Sequence, residues 1–246
     1  MASGFLIPGP ANAESPPQAL EQLPPSPAVP KPYVMPKPAV RVLPNGLTLV
    51  TIERHDLPLV TLRCVVKDGA EADPARAPGT AQLVSALLNQ GTTSQSAFQI
   101  AEAIDSAGGS IDTGADWDTS YAELSVLSDH TETAFDLLAD MIRRPAFNPA
   151  EVERKRTQTL SSLQVAYQDP GYVADTAFDN LTFAGTAYGH PQDGTTESVA
   201  RLTVDDLRVF HDRNYRPENS ILAAVGDISP DQAFALAQRF FGDWPR

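Results

Sequence analysis

Residues 40–52 have the sequence VRVLPNGLTLVTI, and this stretch sets the first element of the fold. Two runs rich in Val, Leu, Thr and Ile flank Asn45-Gly46, and Asn-Gly between two such runs is a strong β-hairpin signal because both residues tolerate a positive φ. Residues 60–67 continue the strand-like pattern until Asp68-Gly69 ends it. The first part of the chain is therefore predicted to form antiparallel strands.

Beyond this hairpin, the periodicity of apolar residues changes several times. Helical spacing or helix-capping residues predict helices at 80–89, 96–106, 131–142, 149–167, 172–183, 203–214 and 230–241, and strands are predicted at 110–116, 119–127 and 220–225. Gly91 is expected to end the first helix. This order of elements predicts an α+β fold, with a largely antiparallel sheet covered on one face by helices.

The first 38 residues differ from the rest in composition. Nine prolines lie between residues 14 and 38, and such a segment favours extended polyproline II and cannot pack a core. We predict an arm over residues 1–38 and a single domain over residues 39–246. A short apolar patch before Ala11-Asn12-Ala13 fits the small-x-small signal-peptide pattern, although no basic residue precedes Lys31. A signal remnant ending near Ala13 would make the protein periplasmic or secreted, and an ordinary N-terminal segment is the alternative.

Charge and cysteine content exclude several classes of function. The formal net charge of −13 argues against nucleic acid and anionic membranes as partners. Cys64 is the only cysteine, so neither a disulfide within the chain nor a cysteine-based zinc cluster is possible. We expect Cys64 to be a core residue. No apolar run approaches the roughly 18–20 residues needed for a transmembrane segment.

Short motifs recur in a fixed order along residues 40–246. They are PNGL at 44–47, PGTA at 78–81, GT at 91–92, GG at 108–109, FNP at 147–149, YGHP at 188–191, NYRP at 214–217 and GD at 226–227. Together they resemble the pitrilysin/insulinase-type metallopeptidases, especially the processing-peptidase branch. The resemblance implies the fold of one domain of this family, the first domain of a usually longer chain.

The zinc motif of this family is absent from the sequence. Its members carry an inverted motif, His-x-x-Glu-His, on the first helix. The two histidines share one helical face and bind zinc, and the glutamate acts as general base. The resemblance places the two histidine positions at Gln82 and Ala86 and the base at Ser85. It places the third ligand, a glutamate in the family, at Ser162, and a further acidic position at Lys155. We therefore predict no catalytic residue and no metal ligand at these positions.

A displaced site built from other residues is the alternative. The four histidines are His55, His130, His190 and His211, and none lies three or four residues from another. We interpret His55 as part of a solvated turn and His211 as a residue that packs against a neighbour. The sequence also lacks a Gly-x-Ser-x-Gly nucleophile motif and a Gly-rich phosphate-binding loop.

These observations predict a non-catalytic homologue or subunit of a zinc metallopeptidase that is no enzyme by itself. The resemblance implies a heterodimer in which an active subunit supplies the zinc, while this chain needs no cofactor and helps enclose or bind peptides. An exposed strand edge would hold the peptide, and the acidic charge would suit basic peptides. Self-association is another way to cover an exposed interface. The alternatives are a structural or assembly protein with the same fold and an active zinc metalloendopeptidase with a displaced site.

Overall fold

The structure is a computed structural model, and it describes residues 36–246. Six strands within this range form one sheet in the order β1-β2-β6-β3-β5-β4. They are β1 (Ala39–Val42), β2 (Thr48–Glu53), β3 (Leu59–Val66), β4 (Ser110–Ala115), β5 (Ser120–Leu127) and β6 (Ser220–Gly226). Only β2 and β6 run parallel, and every other neighbouring pair is antiparallel. The predicted, largely antiparallel sheet is confirmed.

The β1–β2 hairpin forms around the predicted turn. Gly46 has a φ of 94°, and the Leu43 amide donates to the Leu47 carbonyl at 2.9 Å. The side chain of Asn45 donates to the carbonyl of Phe241 at 2.7 Å. The turn that begins the domain is therefore held against the last helix of the chain.

Eight α-helices lie within the described residues. They are α1 (Thr80–Leu87), α2 (Ala97–Ser106), α3 (Thr131–Arg143), α4 (Pro149–Ala166), α5 (Pro170–Thr182), α6 (Thr196–Arg201), α7 (Val204–Asn214) and α8 (Pro230–Phe241). The sequence predicted seven of them and missed the six-residue α6. The predicted end of α1 was wrong, because the helix stops at Leu87 and Gly91 lies beyond its cap.

The two faces of the sheet differ in burial. Along β3, the side chains of Val60, Leu62, Cys64 and Val66 are buried, whereas the residues between them are only half-buried. Helices α1, α3 and α8 pack against the buried face. The prediction that helices cover one face of the sheet is confirmed. Burial raises the pKa of the Cys64 thiol to about 12, which fits a core residue rather than a nucleophile.

The predicted N-terminal arm lies almost entirely outside the described residues. Its extent, 1–38, and the signal remnant near Ala13 therefore stay predictions, as does the domain boundary at residue 39. Within residues 36–246, no helix combines the length and the apolar character that crossing a bilayer requires.

Candidate functional site

Helix α1 carries three of the predicted site positions, and the fold holds it firmly. Six of its eight residues are buried. Its first turn is capped by the carboxylate of Asp73, which accepts hydrogen bonds from the amides of Gly79 at 2.6 Å and Ala81 at 2.8 Å. Burial raises the pKa of Asp73 to about 7, although these amides and that of Thr80 act in the opposite direction. The start of α1 is thereby fixed to the preceding loop.

Glycine at position 79 lets a second loop approach α1. Gly79 has a φ of 90°, and a Cβ atom there would lie 2.7 Å from the carbonyl oxygen of Asp193. The hydroxyl of Ser198 donates to the carbonyl of Pro78 at 2.9 Å. The loop at residues 185–194 is therefore held beside α1, and it brings Gln192 and Asp193 to the candidate site.

Gln82, at the predicted first-histidine position, binds the end of the edge strand β4. Its side-chain amide donates to the carbonyl of Ala115 at 2.7 Å, and the amide of Gln192 donates to the same oxygen at 2.9 Å. A carbonyl oxygen has two lone pairs, so both acceptor sites of Ala115 are used. Gln82 is thus engaged in holding β4, α1 and the 185–194 loop together.

Ser85, at the predicted general-base position, lies inside the core. It is completely buried, and its hydroxyl lies 3.3 Å from the hydroxyl of Tyr215. Burial raises the pKa of Tyr215 to about 12, so both groups are uncharged at neutral pH. A buried neutral hydroxyl cannot accept a proton from water as a glutamate base does.

Ala86, Ser162 and Lys155 line one open groove of about 320 Å³. Ala86 forms the α1 side, and Lys155 and the exposed Ser162 lie on α4. Tyr172 of α5 and Asp193 complete the lining. The structure therefore brings together the second-histidine, third-ligand and additional acidic positions that the resemblance placed 69 to 76 residues apart in the sequence.

The charged groups of this groove are partly removed from water. The pKa of Lys155 is lowered, mainly by desolvation and then by the nearby Arg154. The pKa of Asp193 is raised, again by desolvation. The pKa of Tyr172 is raised mainly by desolvation and further by the nearby Tyr167 and Asp193. No ion pair links Lys155 to another residue within 36–246.

Zinc is the metal that the resemblance implies, and the residues present do not fit it. Zinc in proteins takes Cys, His, Asp or Glu ligands. The four positions instead supply an amide bound to Ala115, a buried hydroxyl, a methyl group and an exposed hydroxyl. In the part of the chain that the structure describes, no three His, Cys, Asp or Glu side chains are grouped so that they could hold a metal. The assignment of Gln82, Ser85, Ala86 and Ser162 to ligand and base positions stays a prediction.

The histidines have separate surroundings. His211 is buried, stacks on Tyr215 at 4.6 Å and has its Nε2 atom 2.8 Å from the carbonyl of Ile142, so it packs against its neighbours as predicted. His55 is exposed and lies between the carboxylates of Asp227 and Glu53. These two histidines therefore have structural contacts of their own.

Three residues of the site were not predicted from the sequence. They are Gln192, which binds Ala115, Tyr215, which lies against Ser85, and Asp193, which borders the groove. The motifs at 188–191 and 214–217 lie next to them, but a motif does not reveal which helix its neighbours contact. Their roles follow only from the long-range packing around α1.

Two family models match most of the described chain. The model of insulinase (peptidase family M16) matches residues 48–195, and that of the peptidase M16 inactive domain matches residues 201–246. The first match alone covers more than half of the chain.

Curated relatives and solved structures agree with these matches. An uncharacterized zinc protease of Mycobacterium leprae is 33% identical over 205 residues, which are 81% of this chain and 45% of the relative. Another from Streptomyces coelicolor is 29% identical over 201 residues, 81% of this chain and 43% of the relative. The chain thus spans about half the length of the curated relatives it matches.

The crystal structure of a peptidase M16 inactive domain from Pseudomonas fluorescens superposes with a TM-score of 0.80 at 29% identity, covering 85% of this chain and 51% of that one. The periplasmic protease PqqL from Escherichia coli superposes with a TM-score of 0.76 at 21% identity, covering 86% of this chain and 24% of that one; this likeness shows the fold alone. From the family matches and the relatives, the chain belongs to the insulinase family, peptidase family M16, as a member without the His-x-x-Glu-His motif.

Proposed function

We propose that this chain is a non-catalytic member of the family, which pairs with an active, zinc-bearing subunit and helps enclose or bind its peptide substrates. The observation that carries the proposal is the chemistry of α1. Gln82 is hydrogen-bonded to Ala115, Ser85 is buried against Tyr215, and the side chain of Ala86 has no atom that can bind a metal. A helix of this kind can keep the family fold while contributing nothing to zinc binding.

Exposed apolar residues on α5 support contact with a partner subunit. Phe178 and Leu181 are 67% and 82% exposed, and Val173 of the same helix is exposed as well. Exposed apolar residues that cluster often mark protein–protein contacts. The partner proposed here is a zinc-bearing subunit of the same family, and self-association is the alternative.

The edge strand β4 supports peptide binding next to the candidate site. The Asp116 amide donates to the Thr119 carbonyl at 2.7 Å, so these two residues form a hydrogen-bonded pair next to the β4–β5 ladder. Hydrogen-bonded and non-hydrogen-bonded pairs alternate along antiparallel strands. Ile111 and Thr113 therefore belong to non-hydrogen-bonded pairs, and their backbone groups point away from β5. An extended peptide could add to the sheet at these groups, whereas the carbonyl of Ala115 is already occupied.

The zinc content of the purified full chain tests the first part of the proposal. We expect less than stoichiometric zinc and no peptide hydrolysis that a chelator inhibits. An active endopeptidase with a displaced site predicts the opposite on both measurements. About one zinc per chain together with chelator-sensitive hydrolysis would therefore overturn the non-catalytic assignment.

Restoring the family motif tests the assignment of the ligand positions. We expect a variant with Gln82→His, Ser85→Glu, Ala86→His and Ser162→Glu to bind about one zinc per chain. The matched control replaces Ser162→Glu by Ser161→Glu, which places the same carboxylate on the neighbouring face of α4. Equal zinc affinity of the two variants would show that the third-ligand position is misassigned.

Mixing the chain with a zinc-bearing family member from the same cell tests the second part. We expect a complex in size-exclusion chromatography and faster peptide hydrolysis than the active subunit shows alone. A complex without any gain in hydrolysis would support the structural or assembly alternative. Absence of a complex would contradict the subunit role.

We also propose that the protein acts in the periplasm or outside the cell. The small-x-small pattern ending at Ala13 and the likeness in fold to PqqL, a periplasmic protease of Escherichia coli, support this location. Cell fractionation and N-terminal sequencing of the mature protein test it, and recovery of the intact N-terminus from the cytoplasm would contradict it.

A further inference from the structure

Lys155 is the basic residue among those lining the groove, and Asp193 is the acidic one. Lys155 lies two turns before Ser162 on α4, and both residues line the groove beside Ala86. Within residues 36–246, its ammonium group forms no hydrogen bond and no ion pair. A partly desolvated charge without a partner is unfavourable, so a ligand of opposite charge would gain from binding there.

Within residues 36–246, Glu151 attracts this ammonium group electrostatically, but no carboxylate forms an ion pair with it. Asp193 lines the same groove but forms no ion pair with Lys155. Glu151 lies one turn earlier on α4, and its carboxylate pairs with Arg154 at 2.8 Å instead. The positive charge in the groove is therefore available to a ligand.

We propose that this groove binds a carboxylate group of a peptide and that Lys155 recognises it. The inference rests on the proposed function, which supplies peptides as ligands, and it narrows them to peptides that present a free carboxylate to the groove. A hydrogen bond between an ammonium and a carboxylate is roughly twice as strong as one between neutral groups. Gln158, Thr159 and Ser162 provide polar side chains for the neighbouring peptide groups.

The carboxylate can come from a peptide C-terminus or from an acidic side chain, and four acetylated tetrapeptides separate these sources. The first is tetra-alanine with a free C-terminus, and the second is the same peptide as its C-terminal amide. The third and fourth are amides in which one alanine is replaced by glutamate or by glutamine. Binding to the full-length, ¹⁵N-labelled chain is measured by NMR titration at pH 7 and low salt.

The expected result is that at least one charged peptide binds about tenfold more tightly than its neutral counterpart. A preference in the first pair identifies the C-terminus, and a preference in the second pair identifies the side chain. Lys155→Gln removes the preference, and Lys155→Arg retains it. The matched control is Lys67→Gln, which changes the net charge equally. Lys67 is an exposed lysine directly after β3 that donates to the Glu218 carbonyl and does not line the groove.

Two results would overturn the inference while leaving peptide binding intact. One is equal binding of the charged and neutral peptides, and the other is an equal loss of preference in the Lys67→Gln and Lys155→Gln variants. Failure of all four peptides to bind would overturn both the carboxylate site and the peptide-binding part of the proposed function. The zinc and pairing measurements described above would then still decide the non-catalytic role.

Discussion

Helices α1 and α5 both border the groove, yet they are held in opposite ways. Six of the eight residues of α1 are buried, whereas α5 buries none of its thirteen. Helix α1 packs against the sheet, α4 and α7. Leu87 of α1 is 1% exposed and Leu181 of α5 is 82% exposed. One wall of the groove is thus part of the core, and the other lies on the surface.

This difference means that the residues that hold the fold together and the residues that face the groove can be changed separately. The buried residues of α1 pack the helix into the core, so we expect a change at the half-buried Gln82 or Ala86 to alter the site more than the stability of the domain. The exposed apolar residues of α5 contribute little to the stability of this domain, and they would be buried only if a partner covers them. The two helices should therefore respond differently to the same substitution.

The largest expected effect is that of Leu87→Ala on α1. Removing a buried leucine side chain loses its burial energy and leaves a cavity, which costs about 2–5 kcal/mol. The matched control, Leu181→Ala on α5, should change the free energy of unfolding by less than about 0.5 kcal/mol. Urea denaturation of both variants measures the difference. Similar losses in the two variants would show that α5 is packed as firmly as α1.

Hydrogen exchange should show the same contrast in the unmodified protein. We expect the backbone amides in the second half of α1 to exchange about 100-fold more slowly than those of α5, because α5 can open without exposing buried apolar surface. Native-state exchange followed by mass spectrometry measures both helices in one experiment. Equal protection would mean that α5 opens only when the whole domain unfolds.

Local sequence signals were sufficient for most of this fold. Asn45-Gly46 predicted the first hairpin, and Asn148-Pro149 predicted the start of α4, where the Asn148 side chain accepts a hydrogen bond from the Ala150 amide. Helix α6 was missed because it has only six residues and its capping box pairs Thr195 with Ser198 rather than with glutamate or glutamine. The parallel pairing of β2 with β6 joins strands more than 160 residues apart, which no local pattern reveals.

The contacts of the candidate site could not be predicted from the sequence. The family resemblance placed the second-histidine and third-ligand positions at Ala86 and Ser162, and both residues line one groove, but their assignment as ligand positions stays a prediction. The hydrogen bonds of Gln82 and Ser85 span 33 and 130 residues, so they depend on the tertiary packing of α1. That Lys155 forms no ion pair within residues 36–246 likewise depends on tertiary packing, which the periodicity of a sequence does not reveal.

Asp73→Ala should have the next largest effect, because Asp73 caps α1. Two amides, those of Gly79 and Ala81, lose their acceptor, and leaving buried donors unpaired costs about 2 kcal/mol. The corresponding cap of α5, formed by Asp169, is exposed, so its loss should cost less free energy of unfolding. Urea denaturation at pH 5 measures the loss, and an unchanged midpoint would show that other groups cap α1.

The same variant should also change the pH dependence of stability. Because the pKa of Asp73 in the folded protein is raised to about 7 from its ordinary value of 3.8, the folded state binds more protons than the unfolded state between these values. The contribution of Asp73 to the free energy of unfolding therefore decreases as the pH rises from about 4 to about 7. The difference in unfolding free energy between the natural protein and Asp73→Ala should be larger at pH 5 than at pH 8.

Asp169→Ala should have the smallest effect on the whole domain. The Asp169 carboxylate caps α5 by accepting a hydrogen bond from the Gly171 amide at 2.8 Å. Its loss should destabilise α5 locally by about 1 kcal/mol, which appears as roughly fivefold faster amide exchange in that helix. The urea midpoint and the exchange of α1 should stay unchanged, because α5 opens separately from the core. A shift of the global midpoint as large as that of Asp73→Ala would instead show that the exposed wall of the groove unfolds together with the buried one.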